Sequence, residues 1–381
     1  MNKFIVKPNI VVWQIHMIVA IVAVIGLVIV ESYQVDVKQP YFDKKVQAAS
    51  YMLQGMEILR RYRLQNVGAI SRKSDPMRSG LMGVLSSPIT STTMDIDSKL
   101  TTVNPNWAAV IVEMLKEANI PDGSTVAVSF TGSFPAMNLA VLSAAKAMDL
   151  RLIIITSVSA STWGANIPGF TWLDMEQALN AESFTAMRTV AASLGGVRDN
   201  ALGMSEEAKN ILRNTILKYN IQLLEIDDIK TNITERMEIY HDQARDRQIA
   251  AYINVGGGTV AVGSFIGKMR YRPGLNVKPR ARALRIDSVM TRFARNGVPV
   301  INMNYMKTLA RRYNLPVAQK KIPKIGQGEI FYRMEYNKPL VAVVLLVILL
   351  FLLLFLKMEI GSRIFPMLAK SGKARPGQKM V

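Results

Sequence analysis

Hydrophobic and polar positions divide this chain into two uncharged apolar runs near its ends and a long patterned segment between them. The first run extends from Pro8 to Val30 and the second from Pro339 to Leu356. Each suits a helix crossing a hydrocarbon core about 30 Å thick, which takes ~17–25 residues. Between them, Tyr41–Arg63 carries apolar residues at helical spacing, which predicts a helix leading away from the first run. Periodicity is lost over 66–104, where 80–93 is rich in Gly, Ser and Thr.

From Asn104 onward, apolar strand-like runs alternate with helical patterns. Strands are predicted at Thr125–Phe130, Arg151–Thr156, Gln222–Ile226, Ala251–Val255 and Val298–Asn302. Helices are predicted near Ala108–Ala118, Ala136–Met148, Glu206–Tyr219, Thr231–Ile249, Ile286–Arg295 and Tyr305–Tyr313. Strands apolar on both faces, alternating with helices, imply an α/β fold: a mostly parallel, doubly wound, Rossmann-like sheet of five or more strands. The expected organisation is a cytoplasmic tail (1–8), a transmembrane helix (9–30), a juxtamembrane helix with the Gly/Ser/Thr-rich segment (31–104), an extracytoplasmic α/β domain (105–314), a basic connector (315–338), a second transmembrane helix (339–357) and a basic cytoplasmic tail (358–381).

Flanking charge sets that orientation. Lys3 and Lys7 precede the first run, and six basic residues against Glu359 follow the second. Basic flanks stay cytoplasmic, so both termini are expected inside a cell membrane and 31–338 outside it. A cleaved signal peptide is the alternative for the first run, but no Ala-x-Ala site follows it. Residues 31–338 hold 39 Lys and Arg against 27 Asp and Glu, so that segment is itself strongly basic and favours polyanions. The chain has no cysteine, which excludes disulfides and thiolate chemistry. His241 is the single histidine outside the apolar runs, which excludes a multi-histidine metal site and leaves a carboxylate-bound ion open.

Two glycine-bearing turns fall at predicted strand ends: Thr131-Gly132-Ser133 and Gly256-Gly257-Gly258-Thr259. Such turns let backbone approach a ligand and favour an anion, although tight helix packing also calls for them. Neither is a Walker loop or G-x-G-x-x-G, so the cofactor is left unassigned. Ser133 is the candidate nucleophile, with His241 or Lys146 as candidate base; as a helix cap it needs neither. Asp174, beside Trp172 and Glu176, is a candidate acid/base group or simply the acid of a helix start. Lys268–Arg285 holds seven basic residues and no acid, with Arg270, Arg272, Arg280 and Arg282 as candidate anion-binding residues. No aromatic ladder accompanies them, which argues against nucleic acid.

The ordered series Asn104-Pro-Asn, Thr131-Gly-Ser-Phe-Pro, Ser161-Thr-Trp-Gly-Ala-Asn, Phe170-Thr-Trp-Leu-Asp-Met-Glu and Tyr252-Ile-Asn-Val-Gly-Gly-Gly-Thr resembles the bacterial poly-γ-glutamate system protein family. The two-anchor layout is similar too, so the resemblance covers nearly the whole chain. It implies a membrane component of poly-γ-glutamate capsule or exopolymer synthesis or export, working beside other membrane subunits. The polymer carries one carboxylate per residue and suits the basic segment. Three roles stay open: polymer binding, hydrolysis or transfer through Ser133 or Asp174, and non-catalytic assembly of the synthase.

Overall fold

The computed structural model describes residues 11–358, with side chains described over 16–353 apart from residue 265. It falls into two compact units, one formed by the chain ends through 38 and from 332, the other by Gln39–Phe331.

In the first unit, helix α1 (Val11–Ser32) leads into strand β1 (Val35–Lys38). Strand β11 (Tyr332–Glu335) leads into helix α13 (Lys338–Met358). β1 and β11 pair antiparallel, Val35 opposite Glu335, and Tyr336 donates to Glu31 Oε1 at 2.6 Å. α1 meets α13 where Gly26 lies against Val344; a side chain at Gly26 would collide with that valine. Among the described residues no helix is long and apolar enough to cross a membrane. The expected crossings at 9–30 and 339–357 run, at their outer ends, beyond the described side chains, and the expected tails at 1–8 and from 359 lie outside the described residues.

The second unit opens with helix α2 (Phe42–Asn66), followed by β2 (Thr90–Thr92), α3 (Ile96–Thr102) and α4 (Asn106–Glu117). Then come β3 (Thr125–Thr131), α5 (Pro135–Ala147), β4 (Arg151–Ser157), β5 (Ala160–Ser161), α6 (Trp172–Ala181) and β6 (Thr189–Ser193). A short 3-10 turn at Val197–Asp199 precedes α7 (Glu206–Lys218), β7 (Gln222–Leu224), α8 (Ile229–Ala244) and β8 (Ile249–Val255). The remainder is α9 (Thr259–Val262), α10 (Ser264–Arg270), β9 (Gly274–Asn276), α11 (Val289–Arg295), β10 (Val300–Met303) and α12 (Met306–Arg312).

Seven strands form one sheet in the order β7-β6-β4-β3-β8-β10-β9. All pairs are parallel except β10 with β9, the antiparallel edge. The expected mostly parallel α/β sheet is therefore present. Its strands are buried on both faces, as a parallel sheet requires. Ala127, Ile153, Ile155 and Tyr252 turn to one face and join a core with Ile233 and Tyr240 of α8 and Phe293 of α11. Val126, Val128 and Ile154 alternate to the other face and are equally buried.

Two strands depart from the sequence expectation. β6 reads Thr-Val-Ala-Ala-Ser, too small and too weakly apolar to announce itself, and is set by pairing with β4 and β7. β9 lies inside the basic stretch, where Gly274 supplies a positive φ that begins the edge strand. The Gly/Ser/Thr-rich segment is built into the compact unit. β2 pairs with β5. Asn166, wholly buried, accepts from Val84 N at 2.9 Å and donates to Val84 O and Thr90 Oγ1 at 2.8 and 2.9 Å. The 315–331 stretch is also included: Asn106 donates to Lys324 O at 3.2 Å and Gln319 to Val103 O at 2.8 Å.

Candidate functional site

The order of strands creates a crevice. From β3 the chain adds β4, β6 and β7 on one side, then returns to place β8 and β10 on the other. Between β3 and β8 the winding direction changes, and the turns leaving neighbouring strands diverge there, which is where open α/β sheets bind ligands.

The two glycine turns meet at that point. Gly256 has φ 88°, and a side chain there would come within 2.8 Å of Thr131 Cγ2. Gly132 is pressed against the carbonyls of Val158 and Ser159, leaving no room for a Cβ. A cavity of about 270 Å³ opens above them, lined by Thr131, Ser133, Gly257, Gly258 and Thr259 and by Ser157, Ser159 and Ser161 across from them. Gly132 and Gly256 shape the backbone beneath rather than the lining. Ser91 and Thr92 of β2 and Asn304 after β10 complete a wall dominated by hydroxyls and amides.

Charge enters the cleft at two places. Lys268 of α10 lies over the glycine turn, its Nζ 3.1 Å from where a Gly257 Cβ would be and 5.3 Å from the Tyr305 ring centre. Burial lowers its pKa from the usual lysine value. Asp199 lies opposite, in a buried ion pair with Arg236 of α8. Ser157 Oγ donates to Asp199 Oδ1 at 2.7 Å, and Arg236 donates to Ser193 Oγ at 2.9 Å and Asn232 Oδ1 at 3.0 Å. The Gly195–Asp199 turn is thereby fixed to β4, β6 and α8.

Ser133 sits on the β3–α5 turn as expected. Its Oγ accepts from Ser161 N at 3.0 Å, and its N–H donates to Thr131 Oγ1 at 3.2 Å. Neither candidate base pairs with it: Lys146 donates to Phe184 O at 2.6 Å, and His241 is exposed on α8. Lys99 of α3, which sequence reasoning passed over, is the lysine that reaches this turn. Its Nζ donates to the Ser133 carbonyl and lies 2.7 Å from Ser161 Oγ.

Asp174 does not line the cleft. It is the N3 residue of α6, where it accepts from Thr171 N and Thr171 Oγ1, both at 2.8 Å, in a capping box. Its other oxygen accepts from Tyr219 at 2.7 Å. Asp174→Ala is expected to cost about 1–3 kcal/mol in a urea melt, because these donors lose their acceptor, and to leave ligand affinity at the cleft unchanged. Glu176 is likewise occupied, accepting from Thr189 N at 2.7 Å and Thr189 Oγ1 at 2.8 Å.

The basic stretch forms a second hollow of about 410 Å³, lined by Arg270, Arg272, Lys278 and Arg280 with no carboxylate among its lining residues. Arg282 is exposed but outside this lining. Among the described residues none of these five makes an ion pair. α10 joins the two hollows, with Lys268 in the cleft and Arg270 in the basic one. No group of three acidic or histidine side chains suited to a metal ion occurs among the described residues. Comparison of the chain with protein-family models, with curated proteins and with solved structures found no match.

Proposed function

We propose that this is a membrane-held protein that binds an anionic, carboxylate-bearing polymer. The chain would lie along the basic hollow, with one polymer unit or end in the switch-point cleft. The observation carrying this reading is the course of α10, which takes Lys268 into a hydroxyl-lined cleft and Arg270 into a hollow with four cations and no acid. Like charges gathered without counter-ions repel one another until an anion arrives. Poly-γ-glutamate, the polymer implied by the resemblance, has the required carboxylate on every residue.

Membrane attachment is supported by the apolar runs at 8–30 and 339–356 and by the surface of the helix pair. Ile21, Val24, Leu27, Leu345, Leu346 and Leu349 are all exposed. So many exposed apolar side chains on one helix pair call for lipid or protein cover. In this reading the basic flanks keep both termini cytoplasmic and place the α/β unit outside, where other synthesis or export subunits would meet it.

The test is equilibrium binding of poly-γ-glutamate to the full-length protein in detergent at low and high salt. Affinity is expected to fall steeply with salt, and Arg270→Glu/Arg272→Glu is expected to weaken it about tenfold, equivalent to ~1.4 kcal/mol. Salt-independent binding, or no effect of the double charge reversal, would sink the polymer reading. Release of the chain from membranes by alkaline carbonate would independently sink the anchoring.

A further inference from the structure

Lys99 is buried, 2% exposed, against Ser133 and Ser161 of the cleft lining, and among the described residues it makes no ion pair. The acid that acts on it among the described residues is Asp95, which caps α3 by accepting from Ser98 N at 2.9 Å and pairs with Lys307 at 2.9 Å. A buried ammonium without a counter-ion is strongly disfavoured. A neutral amine at this position uses one N–H on the Ser133 carbonyl and turns its lone pair to a donor. The Ser161 hydroxyl, which accepts from the charged form at 2.7 Å, would supply that donor to the neutral amine, and Ser161 lines the cleft. Activated serines share this arrangement: a hydroxyl facing substrate, an unprotonated base within hydrogen-bond reach, and a third group orienting the base.

We propose that Ser161 is a nucleophile with Lys99 as its general base, and that the cleft performs acyl transfer on an amide or ester carbonyl. Lys99 Nζ takes the Ser161 hydroxyl proton as Oγ bonds to the carbonyl carbon. The resulting ammonium sits 4.1 Å from the centre of the Phe134 ring, whose face attracts a cation. The tetrahedral adduct collapses with rupture of the bond to the leaving amine or alcohol, which takes the proton from Lys99 and departs. Water then attacks the Ser161 ester. Lys99 removes a proton from that water and returns it to Ser161 Oγ, releasing a carboxylic acid. The polymer reading determines only the substrate, a γ-linked amide held by Lys268 through a neighbouring carboxylate; the acylation chemistry does not depend on it.

Burial lowers the Lys99 pKa to about 7, opposed by Asp95, so the free base is abundant at neutral pH. Among the described residues, Asp95 is the charged group acting on it, and Lys307 partly offsets that acid. The experiment is labelling of the full-length protein in detergent with a fluorophosphonate and with p-nitrophenyl acetate, followed by peptide mass mapping. One adduct on Ser161 is expected, forming at a rate that rises with pH through an inflection near 7. Lys99→Met is expected to slow labelling about 10²–10⁴-fold, the usual contribution of a general base. Lys99→Arg, which keeps a cation but cannot act as a base, should fail equally. No adduct on the wild type, an adduct on Ser133 instead, or unchanged labelling of a folded Lys99→Met protein would overturn the proposal. Neither probe is an anionic polymer, so loss of polymer binding and loss of acylation are read separately.

Discussion

Arg236→Met is expected to destabilise the α/β unit by about 3–5 kcal/mol, the usual cost of leaving one member of a buried ion pair alone. Arg236 and Asp199 are both almost wholly inaccessible, and their partners are neutral: Ser157, Ser193 and Asn232. Removing the guanidinium strands a carboxylate whose remaining side-chain partner, among the described residues, is the Ser157 hydroxyl. Arg236→Met/Asp199→Asn should therefore lose less than Arg236→Met alone, because the stranded charge has gone. Urea denaturation of the full-length variants followed by tryptophan fluorescence, reporting buried Trp107 and Trp172, measures both. A cost below about 1 kcal/mol for Arg236→Met would mean that water reaches Asp199 and that the pair does not fix the cleft wall.

The pair also shows why part of the site could not be read from the sequence. Arg236 and Asp199 lie on elements 37 residues apart, and nothing local to either distinguishes them from surface charges. Lys99 presents the same difficulty. It occupies the short polar helix Ile-Asp-Ser-Lys-Leu-Thr-Thr, where a lysine reads as solvated; packing of α3 beside the β3–α5 turn buries it. Ser161 has no base near it in the sequence, because Lys99 comes from a distant stretch lacking periodicity.

The glycine turns were legible for a physical reason. Apolar runs of strand length ending in glycine before a helical pattern mark strand ends, and in a parallel sheet the carboxyl ends of the strands lie along one edge. The same logic located the basic stretch, because seven like charges without an acid are a local property of the chain. The turns at Thr131 and Gly256 are neighbours through β3–β8 pairing, which only the sheet order supplies. Asp174 illustrates a real ambiguity: an acid three residues into a helix serves capping and catalysis with the same local sequence, and partners from α7 settled its surroundings.

The stability of the full-length protein is expected to pass through a local minimum near pH 7, with arms produced by two buried groups of opposite sign. Burial raises the Glu176 pKa from 4.5 to about 7, against the hydrogen bonds from Thr189 that favour its charged form. Between those values the folded state holds a proton that the unfolded chain has released, so stability falls as pH rises from about 4.5 to 7. Lys99 acts in the next window. Its pKa falls from 10.5 to about 7, so between these values the unfolded chain holds the extra proton and stability rises with pH. At one pKa unit per 1.36 kcal/mol, the Lys99 arm amounts to roughly 3–5 kcal/mol. Urea denaturation across pH is expected to show that Lys99→Met removes most of the rising arm, and that Glu176→Gln flattens the falling one while keeping an acceptor for Thr189. Carboxylates whose pKa values are lowered by Lys or Arg partners, Asp287 and Glu225 among them, add a separate loss in stronger acid. Comparing each variant with the wild type cancels that contribution. A rising arm that survives in Lys99→Met would show that Lys99 stays protonated in the folded protein, and it would remove the free base that Ser161 requires.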